Sequence, residues 1–321
     1  MNISINAYNQ GPCPYKPYDH MLHAGWTNVS IAYQQQEFEA LSGDGWMDYI
    51  RSIKHELDSR GMRCVQTHLS YYDLLVDCEE TDEAIDRVMD RGVILTAELG
   101  AKWGAFHCRT SYRYAGTQKG HDTAYKANLA ILKRMRKIAR DCGVGIAVEN
   151  LPDYVIRTKP GDSSVKLEPP VHLFGTNYHD VIELVDELND PEHIGVCWDF
   201  GHAHMNHEDQ VKALREVGPR LRATHIHSNA GYNDDHLPIS LGTINWDDMA
   251  RVLAEIGYDG SLSLECIWPG DRVAGCSFEQ PGFLGQMEQF AEPYFAHNYQ
   301  LAVMFMEKVR KYRAERNGRD A

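Results

Sequence analysis

No stretch of this sequence is apolar for long enough to cross a bilayer, no C-x-x-C pair occurs, and no basic block offsets the acidic balance. Each absence removes a class of protein. A helical membrane span needs roughly 20 consecutive apolar residues, so no membrane partner is expected. The opening residues MNISINAYNQ lack the basic stretch and apolar core of a secretory signal, so a cytoplasmic location is expected. Eight cysteines are scattered from Cys13 to Cys276, and Cys64, Cys108, Cys197 and Cys266 lie in apolar, strand-like segments, which reads as reduced core residues rather than a disulfide framework. The 32 basic against 46 acidic residues give a net charge of -14, which repels a phosphate backbone, so no nucleic-acid partner is expected. The one dense basic run, KVRKYRAERNGR, reads as the solvated face of a last helix. Solenoid repeats and low-complexity linkers are missing too, which leaves one large domain for the 321 residues.

What is present is an alternation. Short apolar runs at 2-6, 27-32, 62-68, 103-108, 145-149, 194-199, 222-228 and 260-266 alternate with amphipathic stretches of helical spacing. Parallel strands joined by crossover helices have this pattern. Eight such units predict an α/β chain with a single (β/α)8 TIM barrel over residues 1–285 and a C-terminal helical extension over 286–321. Between the fourth and fifth strands, Tyr125, Leu129, Leu132, Met135 and Ala139 mark one helix face, with Gly143 placed to end it. Before the eighth, Asn245 caps a helix with Met249, Val252, Leu253 and Ile256 on its buried stripe and Gly257 at its stop. The final stretch, with Phe290, Tyr294, Leu301, Met304 and Met306, reads as a long helix that covers the barrel's flank or joins subunits. Residues 151–176 form a long, proline-containing insertion, read as a lid.

In such a barrel the chemistry sits where strands run out at their C-terminal ends. Strands three to eight end in His68, His107, Glu149, Asp199, His227 and Glu265, all of them groups that bind metals. Carboxylates crowded in a partly dry mouth cannot all remain ionised unless a cation compensates them. Glu149, Asp199, His227 and Glu265 form a hard O/N set that suits Mn²⁺ first, with Mg²⁺ or Co²⁺ as alternatives, and Zn²⁺ if more histidines join. His225 lies two residues from His227 and so shares its face; His227 is preferred as nearer the strand end. Tyr8, Trp198, Tyr154 and Trp268 are candidates to pack on a substrate face.

The segments AVEN, CWDFGH, HIHSN followed by DDHLPISLGTINW, and SLSLE resemble the xylose-isomerase-like barrel superfamily, over about residues 60 to 266. That superfamily holds sugar isomerases, ketose 3-epimerases and endonuclease IV-type repair enzymes. The epimerase branch implies one metal on Glu149, Asp199, His227 and Glu265, with Glu149 and Glu265 as the acid/base pair that passes a ketose through an enediolate. It also implies a substrate contact from His202; His68, His107, Asp234, His236 and Trp268 are candidate substrate-binding residues around it. The arginine which that branch carries after the seventh-strand histidine is absent; Asn233 stands there. The repair branch implies three zinc ions that also use His68, His107, His202, Asp234 and His236. A third branch cleaves C-glycosides or keto-glycosides, in some cases with a small partner subunit. The expectation is a metal-dependent isomerase or epimerase taking a small sugar or glycoside, as a homo-oligomer, with these two activities as alternatives.

Overall fold

A computed structural model describes residues 1–8, 17–32, 38–70, 83–110, 114, 116–153, 173–266 and 283–318. Eight parallel strands, β1 (Asn2–Tyr8), β2 (Asn28–Ala32), β3 (Arg63–His68), β4 (Trp103–His107), β5 (Gly145–Glu149), β6 (Ile194–Asp199), β7 (Leu221–His225) and β8 (Ser261–Leu264), pair in the order β7-β6-β5-β4-β3-β2-β1-β8. The last gap is closed just beyond β7, where Ile226 bridges Leu264 in parallel. Ile226 N donates to Ser263 O at 2.8 Å, and Glu265 N donates to Ile226 O at 3.0 Å. The (β/α)8 barrel expected from the alternation is the fold observed.

Period-two alternation sorts each strand's side chains. Phe106, Val148 and Trp198 face the helical ring, whereas Ala105, Ala147, Cys197 and Ala223 meet inside the barrel. This interior layer of small residues forms the floor beneath the mouth, and the next inward positions on β4, β5 and β6 are His107, Glu149 and Asp199. Trp198 is fully buried and its Nε1 donates to Gln210 Oε1 at 3.2 Å, so it belongs to the core and not to a substrate wall.

The helices are α1 (Pro17–His23), α2 (Phe38–Ser42), α3 (Trp46–Asp58), α4 (Glu83–Glu98), α5 (Gln118–Cys142), α6 (Tyr178–Leu188), α7 (Phe200–Met205), α8 (Gln210–Val217), α9 (Trp246–Glu255) and α10 (Phe283–Asn317). Helix α5 starts where Thr117 accepts from Gly120 N and stops at Gly143, which takes the left-handed conformation (φ 71°) that its missing Cβ permits. Asn245 caps α9 by accepting from Asp247 N and Asp248 N.

Helix α10 packs against α9, α1, β1 and β8, so the C-terminal extension occupies the eighth helix position of the ring. Its buried face is Ala291, Phe295, Asn298, Ala302, Phe305 and Val309. Phe290 and Met304, counted among its apolar residues in the sequence, are 57% and 65% exposed, because the packed stripe follows the other face. Arg313 and Arg316 donate to the carbonyls of Tyr258 and Glu255 and so fasten the helix to the end of α9.

Of the long insertion after β5, residues 154–172, and with them Tyr154, lie outside the described residues, as do Trp268 and the side chain of Tyr8. The insertion's two ends are described: Leu151 N donates to Gly175 O at 2.8 Å. Cys64, Cys108, Cys142, Cys197 and Cys266 are free thiols, four of them buried. Among the described residues, no helix is long and apolar enough to cross a membrane.

Candidate metal centre

The register explains why the strand ends converge. His107 is level with Glu149 across β4 and β5, and Asp199 is level with His225 across β6 and β7. His225 Nδ1 stands 2.9 Å from Glu149 Oε1, 3.2 Å from Glu265 Oε2 and 3.9 Å from Asp199 Oδ2. The group that closes is therefore Glu149, Asp199, His225 and Glu265, all buried, with ligand atoms within 4.8 Å of one another. His227, expected in this place, lies two residues beyond the end of β7, and its Nε2 meets Asp199 Oδ2 at 3.0 Å.

Two further groups adjoin the first. His68 Nε2 and His107 Nε2 are 3.1 Å apart and lie 3.5 Å and 3.3 Å from Glu149 Oε2. On the opposite flank His202, His227, Asp234 and His236 also form a set within 4.8 Å. There Asp234 Oδ2 is 3.0 Å from His236 Nε2 and 3.6 Å from His202 Nε2, and the His227 and His236 rings stack at 4.0 Å. All the described residues predicted for the site thus line one connected mouth.

The histidines are oriented from behind. His68 Nδ1 lies 2.8 Å from Leu69 O, His202 Nδ1 2.9 Å from Asn150 O, and His236 Nδ1 2.7 Å from Glu265 O. A carbonyl only accepts, so each Nδ1 carries hydrogen and each Nε2 is left to face the mouth, the arrangement that metal-ligating histidines have. His236 holds its place at φ 49°, a conformation uncommon for residues other than glycine.

Burial penalises the Glu149 carboxylate, but His225 and His107 overcome it and hold the carboxyl well below the usual range. Burial likewise opposes charge on His202, yet Asp199 and Asp234 raise it to about 10. His236 is raised to about 9, against burial, by Asp234. Burial and then the neighbouring His107 push His68 down to about 4, so it stays neutral.

Gly201, between Asp199 and His202, is required by close approach. A Cβ there would lie 1.9 Å from His227 Cε1 and 2.4 Å from its Nδ1. Gly201→Ala is expected to displace the His227 ring from Asp199 and to destabilise the fold by about 1–3 kcal/mol. Chemical denaturation checks this; unchanged stability would mean that the ring moves freely.

Sequence reasoning did not single out Asn6, whose Nδ2 donates to Glu265 Oε1 at 3.2 Å from β1. Its signal was the polar alternation Ser4, Asn6 within NISINAY, which puts two polar side chains on the inward face.

An uncharacterized protein of Methanocaldococcus jannaschii is 31% identical to this chain over 140 residues, 43% of the chain and 42% of that relative. A ketose 3-epimerase of Arthrobacter globiformis is 25% identical over 198 residues, 59% of each protein. The matches thus span less than two thirds of these relatives' length. Among solved structures, an L-ribulose 3-epimerase superposes with a TM-score of 0.66 at 14% identity, covering 97% of this chain and 96% of that one; other structural neighbours are also sugar epimerases. These likenesses show the fold. The family model described as "Xylose isomerase-like TIM barrel" matches residues 21–282, and the chain belongs to that family.

Proposed function

We propose that this protein is a metal-dependent sugar isomerase or epimerase acting on a ketose or related keto-sugar, with one divalent ion on Glu149, Asp199, His225 and Glu265. The observation that carries this is the buried ring itself: three carboxylates share one imidazole at 2.9–3.9 Å. Even with His225 and the adjoining His202 both protonated, the three carboxylates keep a formal surplus of negative charge, which an interior does not tolerate without a counter-charge. The hard, mixed O/N donor set fits Mn²⁺ best, with Mg²⁺ or Co²⁺ next.

When bound there, the ion supplies Lewis acidity that makes the C–H beside a sugar carbonyl a stronger acid. The chain's own residues then move the proton. Glu149 is ionised and comes from β5, so it can take a proton, while Glu265 approaches from beyond β8, three strands away. A proton removed by one and returned by the other to the opposite face inverts the carbon; returned to the neighbouring carbon, it isomerises the sugar. His202, whose Nδ1 is bonded to Asn150 O, presents its Nε2 to a sugar oxygen. Asp234 and His236 bind a hydroxyl at the rim, and His68 and His107 do so on the far side.

Incubating the metal-loaded protein with a ketose panel in D₂O tests this. Deuterium entering the carbon next to the carbonyl of at least one ketose is expected, and no exchange in any would remove the reading.

The three adjoining donor groups favour a second reading, a polynuclear zinc centre hydrolysing a phosphodiester of the endonuclease IV kind. The net charge of -14 opposes a duplex at the mouth. Cleavage of a duplex carrying an abasic site would establish it over the first.

A further inference from the structure

The ladder between β5 and β6 ends at Glu149 and Cys197. Beyond it a side chain continues the connection. Asn150, 2% exposed, donates from Nδ2 to Asp199 O at 2.9 Å and accepts at Oδ1 from Asp199 N at 2.8 Å, a reciprocal pair of the kind two residues exchange in an antiparallel ladder. Its own carbonyl accepts from His202 Nδ1 at 2.9 Å. One residue is therefore covalently joined to Glu149, bonded to both backbone polar atoms of Asp199, and responsible for the ring orientation of His202.

We propose that Asn150 is the positioning residue of the metal centre: its amide sets the separation of the Glu149 and Asp199 backbones, and its carbonyl turns His202 Nε2 toward the mouth. Ala, Ser or Asp at this position keeps the carbonyl that accepts from His202 but could not make both side-chain bonds to Asp199. An aspartate keeps the acceptor for Asp199 N but turns a donor into an acceptor facing Asp199 O, and alanine removes both. The inference rests on the reading of Glu149, Asp199, His225 and Glu265 as ligands.

Asn206 supplies an internal control. It is of the same residue type and touches the same turn: Nδ2 donates to Leu151 O at 2.8 Å and Thr176 O at 2.9 Å, and Oδ1 accepts from Asp153 N at 2.9 Å. Its side chain bonds none of the proposed ligands. Losing it costs stability of the kind any buried amide gives, without bearing on ligand geometry.

The experiment titrates Mn²⁺ or Co²⁺ alone into metal-free wild type, Asn150→Ala and Asn206→Ala, well below their unfolding temperatures. Asn150→Ala is expected to bind the ion about 10- to 100-fold more weakly, the usual effect of removing a group that orients ligands. Asn206→Ala is expected to stay within about twofold of wild type while melting lower. Should Asn150→Ala fail to fold, Asn150→Ser, which leaves a hydroxyl too short to span both Asp199 atoms, takes its place with the same expectation. An Asn150 variant that binds like wild type, or an Asn206→Ala that weakens as much, overturns the proposal. Wild type binding no ion overturns it together with the metal reading. Wild type that binds the ion but exchanges no ketose proton removes only the sugar reading, and the affinity comparison still decides Asn150.

Discussion

Replacing Glu149 by Gln is expected to lower turnover by about a thousandfold or more, the upper range for removing a positioned acid/base group. Glu149 is the residue on which the mouth is built. Its Oε1 faces His225 at 2.9 Å and His202 at 3.5 Å, and its Oε2 faces His107 at 3.3 Å and His68 at 3.5 Å. It is fully buried, so no water can take over for the lost charge. An amide keeps the shape but presents hydrogens on one side, where either His225 or His107 expects an acceptor, and it carries no charge to hold a cation. Glu265→Gln is expected to reduce turnover similarly with a smaller loss of ion, because Glu265 belongs to fewer of the groups and Asn6 still anchors its position. Steady-state rates and metal content of each purified variant check both; near wild-type rates in Glu149→Gln would end its role as base.

The barrel was legible because hydrophobic runs of strand length alternate with amphipathic stretches eight times over and because caps such as Asn245 and stops such as Gly143 act through local chemistry. The strand-end histidines and carboxylates were legible for the same reason: a parallel barrel brings all C-terminal ends to one rim. What spacing cannot convey is depth. His225 and His227 share a face, and only the folded geometry shows that His225 lies against Glu149 and Glu265 while His227 lies against Asp199. Nor can a linear pattern show that β7 ends at His225 and that the chain continues through a single bridge at Ile226, which carries His227 toward Asp234 and His236. The supporting asparagines were out of reach for a further reason. Asn150 acts on residues 49 and 52 positions away through its amide and carbonyl, and the sequence around it reads simply as a strand end.

Metal content is expected to depend on pH, because the two larger donor groups balance their charge differently. Around His225, the carboxylates of Glu149, Asp199 and Glu265 outnumber the one imidazole and call for a divalent ion at neutral pH. Around Asp234, against burial, Asp199 and Asp234 raise His202 to about 10 and Asp234 raises His236 to about 9, so both rings hold protons at pH 7 in the metal-free protein. An ion entering that second group must first expel both protons. Occupation of the second group is therefore expected to be weaker at pH 7 than near pH 10. The stability of the metal-free protein carries the same sign: raised histidine pKa values stabilise below the unfolded value near 6.5, and that stabilisation is lost as pH rises through about 9 and then 10. Calorimetric titration with Co²⁺ at pH 7 is expected to give one ion per chain, with a second uptake event gaining strength above pH 9. Three ions bound tightly at pH 7 would show that the protons are displaced with ease, and would move the balance to the polynuclear hydrolase.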